Sequence, residues 1–128
     1  MQRASSSFPA AILSILFVIL AATVSAQDPV KVAPDNYKVT TNNTRVRVVD
    51  IHLKPGDKVP MHSHPGYVAV ALTPCKVRFT SPAGKTQDVE FKAGDANWRD
   101  AETHAVQNIG ESECHVLNIE LKSGRKAK

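Results

Sequence analysis

Two of the five histidines in this 128-residue chain stand one residue apart, His62 and His64, in the stretch PGDKVPMHSHPGYV at residues 55–68. In an extended backbone, residues i and i+2 project from the same face, so both imidazoles would enter one space. That spacing suits two adjacent ligands on a single metal ion, and neutral imidazole binds zinc, iron, copper and nickel. A polar loop that merely contains two histidines has the same three-residue pattern. His104, in AETHAVQN, lies in another predicted strand and can face the same interior if the strands close into a barrel. Three histidines would leave positions open for water or substrate, as a catalytic metal requires. Glu102 shares the predicted face of His104 and is read as a tentative fourth ligand, an outer partner or general base, or a rim residue facing water. Tyr67, Trp98 and Arg99 are the substrate-pocket candidates; Arg99 suits an anion at the barrel mouth and equally a surface ion pair. His52 and His115 read as surface residues.

The elements that must position these groups are strands. TRVRVVDIHLK, residues 44–54, places Val49, Ile51 and Leu53 on one face with Asp50 and His52 on the other. Pro55-Gly56-Asp57 breaks it. YVAVALT, residues 67–73, is almost wholly apolar and predicts a strand buried on both faces. KVRFTS and QDVEFK alternate around the turn PAGK; ANWRD and THAVQN follow as two short strands; CHVLNIELK closes the domain. Seven or eight short strands with close turns, and no convincing helical period, predict an all-β sandwich, jelly roll or barrel. Residues 27–43 are polar and weakly patterned and are expected to form an N-terminal arm or an edge strand.

Composition narrows the remaining classes. Arg3, the apolar run AAILSILFVILAA at residues 10–22, and Val24 and Ala26 before Gln27 read as a secretory signal peptide over residues 1–26. The run is short of the roughly 20 residues a bilayer span needs, so no stable membrane span is expected once the signal is cleaved; an uncleaved anchor is the alternative reading. The protein is then exported, periplasmic or secreted. What remains is one domain, with the barrel over residues 44–122 and a basic flexible tail at 123–128. The net charge of +4 owes much to the tail KSGRKAK, which has no interleaved aromatics, so nucleic acid is not an expected partner. Cys75 and Cys114 allow one pairing, which an oxidising compartment would permit. Asn42-Asn43-Thr44 matches the glycosylation pattern at Asn42.

With the histidines on strands, the chain resembles the cupin superfamily. Gly56, the five residues DKVPM, and His62-Ser63-His64 match the start of the first cupin motif; His104-Ala105-Val106-Gln107-Asn108 matches the end of the second, and Gly94 its start with an offset of one. The phrases MHSHP, NWRDAETHAVQNIG and NIELK are similar to small single-domain bacterial cupins, including some that carry the name beta-alanine degradation protein. The resemblance covers residues 46–122. It implies a cupin-type double-stranded β-helix, that is, a jelly-roll barrel, with a divalent metal held by His62, His64 and His104 and a homodimer formed through sheet edges. The metal is iron, zinc, manganese, nickel or copper. Four departures stand out. The motif glutamate falls at Val68 or Ala69, the closing glycine of the first motif at Cys75 or Lys76, and the proline and glycine of the second at Arg99 and Ala101. The functional expectation is a metal-dependent protein acting on a small molecule, with oxygenase-type chemistry among the reactions; the alternative is a non-catalytic cupin module that binds a small molecule or metal.

Overall fold

The computed structural model describes residues 27–123. The expected signal peptide, residues 1–26, and all but the first residue of the basic tail lie outside the described residues. Among those described, one helical turn, α1 (Pro29–Val32), precedes nine strands: β1 (Tyr37–Asn42), β2 (Val46–Leu53), β3 (Lys58–His64), β4 (Tyr67–Ala71), β5 (Cys75–Thr80), β6 (Thr86–Phe91), β7 (Ala96–Arg99), β8 (Glu102–Asn108) and β9 (Cys114–Leu121). No described helix is long and apolar enough to cross a membrane.

Every strand pairing is antiparallel. One sheet has the order β1-β2-β9-β4-β7 and the other β3-β8-β5-β6. Strands distant in sequence, such as β2 and β9 or β3 and β8, are therefore neighbours in space. Alternation sends Val49, Ile51 and Leu53 of β2 inward against Val59, Val77 and Val106 of the opposite sheet, with Cys75 and Cys114 in the same buried cluster. Those cysteines form a disulfide joining β5 of one sheet to β9 of the other. β4 differs from its expected double burial: Tyr67, Ala69 and Ala71 are buried, whereas Val68 and Val70 are only half-buried. Nothing among the described residues fully covers the outer face of that sheet.

Two local features bear on the histidines. Gly56 has φ 85°, a left-handed conformation that a side chain disfavours, and it turns the chain from β2 into β3. A β-bulge then interrupts β3. Val59 pairs with Val106 and His62 with His104, so three steps along β3 match two along β8. Val59 and the histidines differ in parity, and the extra residue lets both face the interior. The sequence VPMHSH thus reads as a strand only once its pleat is reset at Pro60-Met61.

Candidate metal centre

His62, His64 and His104 converge at one end of the interior. His62 and His104 are direct cross-strand partners, and His64 lies two residues further along β3, opposite Glu102. The three rings are buried, with exposures of 0%, 4% and 5%. Their centroids are 4.8 Å apart for His62–His64 and for His62–His104, and 5.3 Å for His64–His104. One nitrogen from each ring lies within 4.8 Å of the other two, close enough to hold a metal ion.

Two of the rings, His62 and His64, have an orienting hydrogen-bond partner behind them. His62 Nδ1 lies 2.8 Å from the Pro60 carbonyl oxygen, which can only accept, so Nδ1 carries the proton and the Nε2 lone pair is free. That Nε2 is buried without a hydrogen-bond partner. His64 Nδ1 is 2.9 Å from Glu120 Oε1, whose other oxygen accepts from Arg47 Nε at 2.6 Å; Arg47 in turn donates to Asp28 at 2.6 Å. His104 Nδ1 sits 3.4 Å from Glu102 Oε2, too far for a good hydrogen bond, and is also buried without a partner. Glu102 accepts from Tyr67 Oη at 2.6 Å and from the Arg99 guanidinium at both oxygens. Imidazoles backed by a carbonyl or a carboxylate are the arrangement that fixes a ligand's tautomer and raises its basicity toward a metal.

Electrostatics follow from burial. Desolvation lowers the His62 pKa to about 4, against the Pro60 carbonyl, and the other two rings push the same way. Burial also lowers that of His104, opposed by Glu102. Both rings are thus neutral near pH 7, as ligands must be. Burial would raise Glu102 and Glu120. Instead His104, Arg99 and Tyr67 hold Glu102 well below the carboxylate range, and His64 and Arg47 hold Glu120 down. Both carboxylates are ionised. They add negative charge beside a cluster that has none of its own.

An interior cavity of about 60 Å³ adjoins the cluster, lined by His64, His104, Tyr37, Tyr67 and Asn118 among apolar side chains. It has room for a few waters. Outside it lies a groove of about 410 Å³ lined by Lys85, Thr86, Gln87, Arg99, Glu102 and His104. Phe79, Arg99 and His104 line both spaces, and the Arg99 guanidinium lies 4.6 Å over the Phe79 ring. Arg99 therefore stands at the passage between them.

The sequence-predicted residues divide accordingly. Tyr67 and Arg99 line the cavity. Trp98 does not: it is 57% exposed, donates to Asp100 and packs over Gly66 on the outer face. The expectation that Trp98 and Arg99 both wall the pocket fails on the two-residue strand period. Arg99 pairs with inward Tyr67 and Trp98 with outward Val68, so the neighbours point to opposite faces. Glu102 shares the interior-facing side of β8 with His104, but its oxygens are committed to Arg99 and Tyr67. Of the two positions where the motif glutamate was expected, Ala69 faces the cavity and Val68 faces out.

Sequence reasoning missed Glu120, Arg47, Asp28 and Tyr37. Glu120 is 2% exposed, on β9, with Asn118 and Cys114 on the same face. A polar series at alternating positions in CHVLNIELK was the signal that could have located it. Tyr37 packs edge-on against His62 at 5.5 Å from β1, in a segment expected to be no more than an arm or edge.

Fold and site together define a class of protein: a double-stranded β-helix with a histidine cluster inside one end of the barrel. That architecture is the cupin fold, and comparison with solved structures agrees. The chain is similar to a cupin domain from Bordetella pertussis Tohama I at 27% identity, with 68% of this chain and 92% of that one aligned and a TM-score of 0.63. It is also similar to an uncharacterised conserved protein with a double-stranded β-helix domain from Klebsiella pneumoniae, at 19% identity over 71% and 78% of the two chains, TM-score 0.55. A third likeness is to an RmlC-like cupin family protein from Methanocaldococcus jannaschii, at 15% identity over 66% and 77%, TM-score 0.55. No family model matches the sequence, and no curated protein does. The likenesses below a quarter identity are of fold alone, and the fold of this chain is the cupin fold.

Proposed function

We propose that this chain is an exported cupin whose His62, His64 and His104 hold a divalent metal ion and whose barrel mouth admits a small anionic molecule to it. The observation that carries the reading is the buried, unpartnered Nε2 of His62 beside two further imidazoles. A buried nitrogen without a partner costs on the order of 1–3 kcal/mol, and a metal ion supplies the partner. When bound, such an ion offers Lewis acidity toward a substrate oxygen or redox chemistry, according to its identity. The protein's own residues do the rest. Glu120 and the Pro60 carbonyl set the tautomers of His64 and His62. Arg99 at the passage is paired with Glu102 through Nε and Nη2, so the remaining guanidinium nitrogen, with Lys85 in the outer groove, is what meets a carboxylate or similar anion. Tyr67, whose hydroxyl is held protonated by burial and by Glu102, faces the cavity as a neutral hydrogen-bonding group.

Export is supported by the signal-like residues 1–26 and by the Cys75–Cys114 disulfide, a bond characteristic of oxidising compartments. The reaction proposed is a transformation of a small molecule, with oxygenase-type chemistry as one form. The second reading, a binding module without turnover, is favoured by one observation: the positions expected for a fourth ligand hold Val68 and Ala69, neither of which can bind a metal, and both nearby carboxylates are engaged elsewhere. Pairing with a second copy would use a sheet edge such as β1 or β7, where Val39 and Trp98 are exposed.

Elemental analysis of untagged protein purified without chelators, beside His62→Ala/His64→Ala, tests the proposal. Loss of about one equivalent of transition metal per chain in the variant, relative to wild type, is the expected result. Equal metal content in the two proteins, even after reconstitution with zinc, iron, manganese, nickel and copper, overturns it. Product formation by the loaded protein then separates enzyme from binding module.

A further inference from the structure

On the opposite face of the first sheet, away from the barrel interior, a second group of ligating side chains comes together. His52 of β2 and His115 of β9 are direct cross-strand partners, and their rings stack at 4.0 Å with an interplanar angle of 22°. Asp50 precedes His52 by two residues and so shares its face. Its Oδ1 lies 2.7 Å from His115 Nε2 and its Oδ2 3.5 Å from His52 Nε2. One ligand atom from each of the three residues lies within 4.8 Å of the others.

Two further contacts prepare this cluster. Glu113 Oε1 lies 2.7 Å from His52 Nδ1. Glu113 accepts from Nδ1–H there and leaves Nε2 on the side facing Asp50. This is the carboxylate–histidine arrangement that orients metal ligands. The backbone of His115 is pinned on both sides, its N–H donating to Thr73 Oγ1 at 2.9 Å and its carbonyl accepting from Leu72 at 2.8 Å. Asp50 Oδ1 accepts from His115 Nε2–H in the metal-free protein, so a metal ion entering between them takes the place of that proton. The residues are part-exposed, with side-chain exposures of 45% for His52, 30% for His115 and 26% for Asp50, so water can complete the coordination.

We propose that Asp50, His52 and His115 form a second, outward-facing site for a borderline divalent transition metal of the zinc class. Two imidazoles and one carboxylate suit zinc, copper or nickel and disfavour magnesium and calcium, which prefer all-oxygen ligands. The site is independent of the barrel interior. It lies on the opposite face of the sheet and shares no residue with the histidine cluster described above.

Zinc titration of the untagged, chelator-treated protein, followed by calorimetry and by elemental analysis after dialysis, tests this. Wild type should bind two equivalents. His52→Ala and His115→Ala should each remove one equivalent and leave the melting curve of the metal-free protein essentially unmoved. Glu113→Gln should weaken that equivalent about 10-fold or more, as loss of an outer partner does. His62→Ala/His64→Ala should instead remove the other equivalent. If the interior reading fails, wild type binds a single equivalent that vanishes in His115→Ala and survives in His62→Ala/His64→Ala. Zinc stoichiometry and affinity unchanged in both His52→Ala and His115→Ala overturn the proposal.

Discussion

Removing the Glu120 carboxylate should cost both stability and metal affinity, and the two losses can be separated. Glu120 makes two charge-assisted bonds, to His64 Nδ1 at 2.9 Å and to Arg47 Nε at 2.6 Å, from a position 2% exposed. Hydrogen bonds to charged groups contribute about 1.5–3 kcal/mol each, and breaking a buried pair by deleting one partner costs about 3–5 kcal/mol. Arg47 keeps its bond to Asp28 and is part-exposed, at 19%, so the lower end applies. Glu120→Ala should therefore destabilise the metal-free protein by about 3 kcal/mol. For a domain of this size that lowers Tm by roughly 12–24 °C. Glu120→Gln keeps the volume and can still accept from Arg47, so its stability loss should be smaller, about 1 kcal/mol. Both variants deprive His64 of the carboxylate that sets its tautomer and basicity, and both should weaken interior metal binding by about 10–100-fold. The assays are denaturant unfolding of metal-free protein and competitive metal titration against a chelator of known affinity. Unchanged metal affinity in Glu120→Gln would refute the reasoning, because it would mean that His64 needs no anionic partner to act as a ligand.

Acid should destabilise the metal-free protein before its carboxylates titrate. The folded pKa of His62, about 4, lies below the unfolded value near 6.5, so the unfolded chain binds the proton first as pH falls. Stability is full above about 6.5 and declines toward pH 4, by about 3 kcal/mol from this residue; urea midpoints at pH 7 and pH 4.5 should show the fall, and His62→Gln should reduce it. The lowered Glu102 and Glu120 continue the decline at lower pH, and bound metal should be released over the same acid range. Reducing the Cys75–Cys114 bridge, which spans 39 residues and ties the two sheets, should cost about 4 kcal/mol, measurable with Cys75→Ser/Cys114→Ser. At Gly66 an added Cβ would meet the Trp98 ring at 2.8 Å, so Gly66→Ala should displace that exposed ring and alter the emission of the chain's single tryptophan, with metal content unchanged. Loss of interior metal in Gly66→Ala would place Trp98 nearer the site than the outer face.

Period-two patterning, turn glycines and the spacing of the histidines were enough to read an all-β barrel with His62, His64 and His104 facing one space. These are local properties: alternation sets which side a residue faces, and a left-handed glycine such as Gly56 marks where the chain reverses. The same rule contradicts the joint placement of Trp98 and Arg99 in the pocket, since adjacent strand residues point to opposite faces. What the sequence by itself could not determine was which strands become neighbours. Glu120 stands behind His64 because β9 runs beside β4 and β2, which also brings Arg47 within reach. His52 meets His115 through the pairing of β2 with β9, and Cys75 meets Cys114 where the two sheets pack face to face. The bulge at Pro60-Met61 could not be read from alternation either, because it is a break in that pattern, visible only once β8 supplies the register. Local alternation therefore determined the strands and the histidines that face inward. Tertiary pairing alone decided that Glu120 and Arg47 stand behind His64, because that depends on strand neighbours far apart in the chain.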